Sequence, residues 1–195
     1  MDVNLVIGRR LRGLRDERGW SLDVLADRSK VSRSNISLIE RGQSSPTAVV
    51  LDKLATALSV PLASLFEPSA VPTAAPSPVS RAAEQSVWTD PASGYIRRRL
   101  SPLCPSPIQL VEVNFPAGRC VSYDSGPREV DIQQQVWILE GEMHITVGET
   151  VWRLEPGDCL AVRLDCPTVF KNSARKAARY LVALTTLYPN ERRNG

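Results

Sequence analysis

Two short amphipathic stretches between Ser21 and Thr47, in SLDVLADRSKVSRSNISLIERGQSSPT, constrain the fold of this chain more than any other feature. Leu22, Leu25 and Ala26 fall on one face of a first helix, Ile36 and Ile39 on one face of a second, and Val31 plugs the turn between them. Helices this short are marginal alone, so the two stripes must share one core. Ser21 and Ser32 stand just before the two helices, where a hydroxyl accepts from the free N–H groups of the first turn. Gly42 supplies the stop, and Pro46-Thr47 reads as the entry to another helix. Arg33, Ser34, Asn35 and Ser37 are left on the polar side, away from Ile36 and Ile39.

The flanking sequence completes a bundle. Ile7, Leu11 and Leu14 recur at helical spacing before Gly19, Val50, Leu51, Leu54 and Leu58 do so after Thr47, and Pro61–Phe66 predicts a short closing helix. Residues 5–67 resemble the five-helix DNA-binding domain of the XRE type, the lambda and 434 repressor class. The resemblance implies a double-stranded DNA operator as partner, with the second helix of the motif entering the major groove N-terminus first. It assigns base contacts to Arg33, Ser34 and Asn35, with Leu38 at the far end of the groove, and a phosphate contact to Ser32. Ser21, Ser44, Ser45 and Thr47 are further phosphate candidates, and Ser37 and Arg41 complete the DNA-contacting set. An Arg15–Glu40 ion pair is also implied. The chain departs from many relatives at Leu22, where they carry Gln or Thr.

Charge limits how such a domain binds. Residues 1–67 hold ten Lys/Arg against eight Asp/Glu, so counterion release is small and useful affinity needs base contacts and two copies on one duplex. The whole chain, 195 residues and 43% hydrophobic, suits two small globular domains rather than one large enzyme core. No apolar run reaches membrane-spanning length and the N-terminus lacks a signal-peptide pattern, so a cytoplasmic protein without membrane association is expected. Cys104, Cys120, Cys159 and Cys166 show no CxxC spacing and read as buried or half-buried thiols, with redox sensing or a four-thiolate zinc site as the alternative. The stretch EPSAVPTAAPSPVSRAAEQS is Pro/Ala/Ser-rich and nearly free of large apolar residues, which marks a linker over residues 68–86 between domains at 1–67 and 87–195.

From Tyr95 onward the hydrophobic period switches to two, in short segments divided by Pro, Gly and Asp turns. An antiparallel β-barrel or sandwich follows, making the chain an α + β protein of two domains. The turns PAG (116–118), LEGE (139–142), EPGD (155–158) and DCPTVFKN (165–172) together resemble a cupin, the jelly-roll barrel that in many relatives holds a metal through three His and a Glu. On that resemblance the Glu position is Gln134 and the second-motif His position is Thr168, with Asn172 four residues on; no register supplies an imidazole. The single histidine, His144, lies on the strand after LEGE, where packing or solvent exposure is the expected role. Asp124, Glu129 and Asp131 offer the alternative of a hard-cation site, but no metal and no cofactor is expected.

A barrel without metal can still bind. With Gln134 pointing inward, alternation sends Val136 and Ile138 inward and Trp137 and Leu139 outward. Gln134, Thr168 and Tyr123 then supply uncharged hydrogen bonding in a pocket lined by Val136, Ile138 and Phe170. Within the run Arg97-Arg98-Arg99, an inward Arg98 would meet a ligand carboxylate or a buried Glu such as Glu112; the alternative is a run that is simply an exposed edge. The alternative is a filled barrel in which Gln134 and Thr168 satisfy neighbouring backbone. Joining the two domains resembles a bacterial one-component regulator, which implies a homodimer and a small-molecule effector such as an amino acid. A constitutive dimeric repressor is one alternative; an enzyme like the metal-dependent epoxidases that join the same two domains is the other.

Overall fold

The computed structural model describes residues 2–68, 77–124 and 130–187, and the chain divides into two compact units, 1–76 and 77–195. The first unit contains α1 (Val3–Glu17), α2 (Leu22–Ser29), α3 (Arg33–Glu40) and α4 (Ala48–Ala57). The expected fifth helix is instead a 3-10 turn, Leu62–Phe66, whose five residues are too few to sustain an α-helix behind Pro61. Ser21, Ser32 and Thr47 cap α2, α3 and α4, accepting from the N–H groups of Val24, Asn35 and Val50. Gly42, at φ +67°, ends α3: its N–H reaches the Ile39 carbonyl at 2.9 Å and Gln43 N–H reaches the Leu38 carbonyl at 2.9 Å.

The core of this unit is Ile7, Leu11, Leu14, Leu25, Val31, Ile36, Ile39, Leu51, Leu54, Leu58 and Leu65, all buried; Leu22, Ala26 and Val50 are only half-buried. Gly8 lets α1 lie against the end of α3. A Cβ there would collide with the carbonyl oxygens of Ile39 and Glu40.

The second unit is all antiparallel. A six-stranded sheet runs in the order β1 (Val87–Thr89), β2 (Ile96–Arg99), β3 (Ile108–Phe115), β10 (Ala178–Leu187), β5 (Asp131–Glu140), β8 (Cys159–Arg163). A four-stranded sheet runs β4 (Cys120–Tyr123), β9 (Thr168–Lys171), β6 (Met143–Val147), β7 (Thr150–Leu154). No strand pairing among the described residues joins the two, so the expected closed barrel is a sandwich of two sheets. The β1 strand, VWT, lies ahead of the period-two segments and is too short to show alternation.

Val111, Val113, Phe115, Val136, Ile138 and Val182 of one sheet and Val121, Met143, Ile145 and Phe170 of the other are buried, and Phe170 stacks on Tyr180 with ring centroids 6.1 Å apart. Asn172 is a structural residue: its amide donates to the Phe115 and Lys176 carbonyls at 3.2 and 2.9 Å and its oxygen accepts from Ala174 N–H at 2.9 Å. The four cysteines are free thiols; Cys104 and Cys166 are half-buried as expected, whereas Cys120 and Cys159 are exposed, at outward positions of β4 and β8.

Candidate nucleic-acid interface and sandwich interior

The first turns of α3 present a polar face to solvent. Ser32, Arg33, Ser34 and Arg41 are exposed, Asn35 and Ser37 half-buried, and Leu38 keeps 38% of its surface exposed although it is apolar. Ser45 is exposed and Ser44 half-buried beside the α3 stop. The capping hydroxyls of Ser21, Ser32 and Thr47 accept from the backbone at 3.2, 3.3 and 3.3 Å, which leaves the O–H of Ser21 and Thr47 to donate, while the Ser32 hydroxyl also shares a hydrogen bond with the Ser34 hydroxyl at 3.3 Å. Arg33 is positioned by α2: its Nε lies 3.1 Å from Asp23 Oδ1, with both side chains largely solvated.

Beneath this face, Arg15 of α1 holds Glu40 at the end of α3 through two bonds, Nε to Oε1 at 2.7 Å and Nη2 to Oε2 at 2.9 Å. Arg15 also donates to Asp16 at 2.6 Å and to the Trp20 carbonyl at 2.8 Å, and its guanidinium is raised above the ordinary Arg value mainly by the Glu40 hydrogen bond. Arg28 lies 4.5 Å from the Trp20 ring centroid, a cation–π contact joining α2 to the α1–α2 turn. Helical spacing alone does not reveal it, because Trp20 lies in a turn.

In the sandwich, β5 alternates as expected: Val136 and Ile138 are fully buried, Trp137 is 46% exposed, and Gln134 is half-buried on the inner side. Gln134 pairs in register with Leu184 and Val162, and its side chain makes no hydrogen bond to a described residue. Thr168 is fully buried and its hydroxyl donates to the Cys166 carbonyl at 3.2 Å. Tyr123 pairs with Thr168 across β4 and β9, and its ring packs edge-on against Phe170 at 5.9 Å.

Arg98 does not face inward as expected. Arg97 pairs with Val113 and Arg99 with Val111, both buried inner positions, whereas Arg98 pairs with Glu112 on the outer face and approaches it to 3.8 Å. The parity follows from β3, whose Val111, Val113 and Phe115 are committed to the core and fix which β2 residues share their side. Arg97 is half-buried. Desolvation lowers its guanidinium below the ordinary Arg value, opposed by the nearby Tyr95, Tyr123 and Tyr180.

Of the cupin metal positions, the two that are fixed, Gln134 and Thr168, offer a neutral amide and a hydroxyl and no imidazole or carboxylate, which does not fit a transition metal; the other two fall at Asp124 or within residues 126–130, where no register supplies an imidazole. His144 lies on the outer face of β6, paired with Lys171 and Arg153, with Nδ1 3.7 Å from Glu142. Asp131 is held by Arg163 at 2.9 Å, Asp124 is exposed, and Glu129 lies outside the described residues.

Comparison with known proteins places this geometry. Residues 6–65 match a helix-turn-helix domain family. The chain is 28% identical over 173 residues to the HTH-type transcriptional regulator SutR of Escherichia coli K12, which spans 87% of this chain and 89% of that protein. It is 35% identical over 69 residues to the uncharacterized HTH-type transcriptional regulator y4dJ of Sinorhizobium fredii, spanning 35% of this chain and 90% of that protein. The chain belongs to the XRE-type helix-turn-helix transcriptional regulators. A solved structure, an HTH_3 family transcriptional regulator from Vibrio cholerae, shares the fold over 97% of this regulator and 99% of its own chain, at TM-score 0.73 and 24% identity. Among the described residues, no helix is long and apolar enough to cross a membrane.

Proposed function

We propose that this regulator is a one-component sensor: residues 1–67 read an operator, residues 68–86 link, and residues 87–195 form a cupin-like domain that dimerises and takes a small metabolite. The observation that carries the DNA half is the solvated polar face of α3, with Arg33 held at its base by Asp23 and hydroxyl donors at the caps around it. Arg33, Ser34 and Asn35 then face base edges, and Ser21, Ser32, Ser44, Ser45 and Thr47 grip phosphate, with Ser37, Leu38 and Arg41 along the groove.

Dimerisation through the second unit is supported by apolar side chains on the outer face of the six-stranded sheet. Ile108, Leu110 and Trp137 keep 53, 38 and 46% of their surface exposed. Gln134, held among Val136, Leu184 and Val162 without a side-chain partner among described residues, supports a binding interior. An effector that prefers one dimer geometry by about 1–3 kcal/mol would change operator occupancy roughly five- to 150-fold. A regulator is favoured over an enzyme because the cupin Glu and second-motif His positions hold Gln134 and Thr168, neither an imidazole nor a carboxylate. The constitutive repressor with a filled interior keeps one supporting observation, the Thr168 hydroxyl already bonded to the Cys166 carbonyl.

The test is operator selection with the full chain, followed by titration of the selected site and random DNA. Replacing Arg33 with Ala is expected to cost about 1–3 kcal/mol on the selected site and little on random DNA. Equal losses on both make Arg33 a phosphate contact. Light scattering at micromolar concentration reads the dimer, and thermal-shift screening against neutral and charged metabolites reads the sensor.

A further inference from the structure

We propose that the second unit makes its own contact with duplex DNA: Arg119, Lys171, Arg175 and Lys176, gathered around the buried Asn172, hold the phosphate backbone without reading sequence. Such a contact is additional to a dimerising, metabolite-binding role of this unit. It rests on the reading that residues 1–67 bind duplex DNA.

Asn172 brings the four cations together. Its backbone N–H donates to the Arg119 carbonyl at 3.0 Å and its side-chain amide to the Lys176 carbonyl at 2.9 Å, while Lys171 precedes it at the end of β9. The Asn172 side-chain oxygen accepts from Ala174 N–H at 2.9 Å, which turns the segment that carries Arg175 back on itself. Lys171 stands on the outer side of β9, because Thr168 and Phe170 are committed to the core. Its partners on the two flanking strands are Cys120 and His144, so no carboxylate faces it across either ladder. The four cationic residues are exposed and Asn172 is fully buried. Their backbone is thus fixed from below while the charges stay in water.

Four other arginines of the two sheets lie against carboxylates: Arg98 against Glu112, Arg179 against Glu112 and Glu140, Arg153 against Glu142 and Glu155, and Arg163 against Asp131 and Asp165. Among the described residues, Arg119, Lys171, Arg175 and Lys176 form no ion pair. The adjoining turn at Gly141, which lies close against Ala177 and Ala178, does carry two carboxylates. Both are engaged, Glu140 by Arg179 and Glu142 by Arg153.

The partner follows from charge and tethering. Each unneutralised cation that meets a phosphate releases a condensed counterion, a gain that the first unit, with ten Lys/Arg against eight Asp/Glu, supplies only weakly. The chain connection holds the second unit near the duplex that the first unit occupies, at an effective concentration on the order of millimolar. The cations lie on a sheet face and a short loop rather than on a helix that could enter a groove, so they meet phosphates and not base edges.

The experiment uses the full chain with a selected operator and a random duplex, titrated from about 0.05 to 0.3 M salt. Combining Arg119→Gln, Lys171→Gln, Arg175→Gln and Lys176→Gln is expected to weaken both duplexes equally, about tenfold or more at the lowest salt, and to lower the slope of log affinity against log salt by about two to four. The ratio between the duplexes and the unfolding midpoint should not move. Arg98→Gln, which removes a cation of the other sheet and leaves Glu112 with Arg179, should change neither affinity nor slope. On the unaltered protein, random duplex should slow acetylation of Lys171 and Lys176, read by mass spectrometry, and high salt should restore it. An unchanged slope in the four-residue variant, an equal loss in Arg98→Gln, or lysines that DNA does not protect overturns the contact. Poly-glutamate protecting the lysines as well as DNA at equal charge overturns the choice of DNA, and a loss confined to the operator overturns a backbone contact. If the unaltered chain binds neither duplex, the DNA reading of the first unit falls as well; binding that the variant leaves intact removes the patch alone.

Discussion

Replacing Glu40 with Ala tests whether α3 is held in place by a buried ion pair. Arg15 and Glu40 side chains are 12 and 8% exposed, and their fork of two bonds at 2.7 and 2.9 Å ties the last residue of α3 to α1. Removing one partner of a buried pair costs roughly 3–5 kcal/mol where the other is stranded. Arg15 is not stranded, since Asp16 at 2.6 Å and the Trp20 carbonyl at 2.8 Å remain. The expected loss is therefore at the lower edge, about 2–3 kcal/mol, or a fall of about 10–20 °C in the melting temperature of a unit of this size. Far-UV circular dichroism reads it, because the α-helices described lie in the first unit. The loss should persist from about 0.1 to 1 M salt, as exposed pairs are screened and buried ones much less so. A double-mutant cycle with Arg15→Met should show coupling above about 1.5 kcal/mol. A loss below about 1 kcal/mol, or additive single effects, refutes the anchoring role and makes the pair an ordinary surface bridge.

Two further substitutions separate packing from chemistry. Gly8→Ala gains about 0.5–1 kcal/mol of helix propensity but drives a methyl into the Ile39 and Glu40 carbonyls; a net loss of about 1–3 kcal/mol by urea unfolding is expected, and a stabilised variant would show that α1 and α3 separate freely. Gln134→Leu should leave stability within about 1 kcal/mol, since no described partner loses a bond, while removing effector response in operator titration; a loss of about 1–3 kcal/mol with response intact would assign Gln134 to the scaffold instead.

The first unit was legible because its determinants are local. Ser21, Ser32 and Thr47 cap the turn that follows each of them, and Gly42 takes the positive φ that ends α3, so boundaries read from residue type agree with the helices found. The Arg15–Glu40 pair was reachable only through family resemblance, because nothing local links residues 25 positions apart. The closing segment LASLF carries apolar residues at helical spacing; its 3-10 form reflects a length at which tertiary packing of Leu65 and Phe66, rather than propensity, sets the backbone.

The sandwich was legible strand by strand and illegible across strands. Within β5, period two alone separates exposed Trp137 from buried Val136 and Ile138. In β2 the run Arg97-Arg98-Arg99 follows Ile96, whose apolar side chain shares the side of Arg98 yet is 39% exposed, so alternation guarantees that Arg98 faces away from its neighbours while the apolar cue points to the wrong inside. The phase comes from β3, a strand nine residues later in the sequence, through the pairing of Arg97 with Val113. A one-residue slip of that pairing would turn Arg97 outward and Arg98 inward, and the register is held by β3 being paired on its other edge to β10 over eight positions. The residue that puts positive charge into the interior is thus chosen by a long-range ladder, and the same ladder sets Tyr180 opposite Val113, in the row of Arg97. Cation and phenol are therefore coupled through β3: a change that shifts β3 against either neighbour takes both out of line together, whereas a change at Arg98, on the outer face beside Glu112, leaves the interior donors where they are.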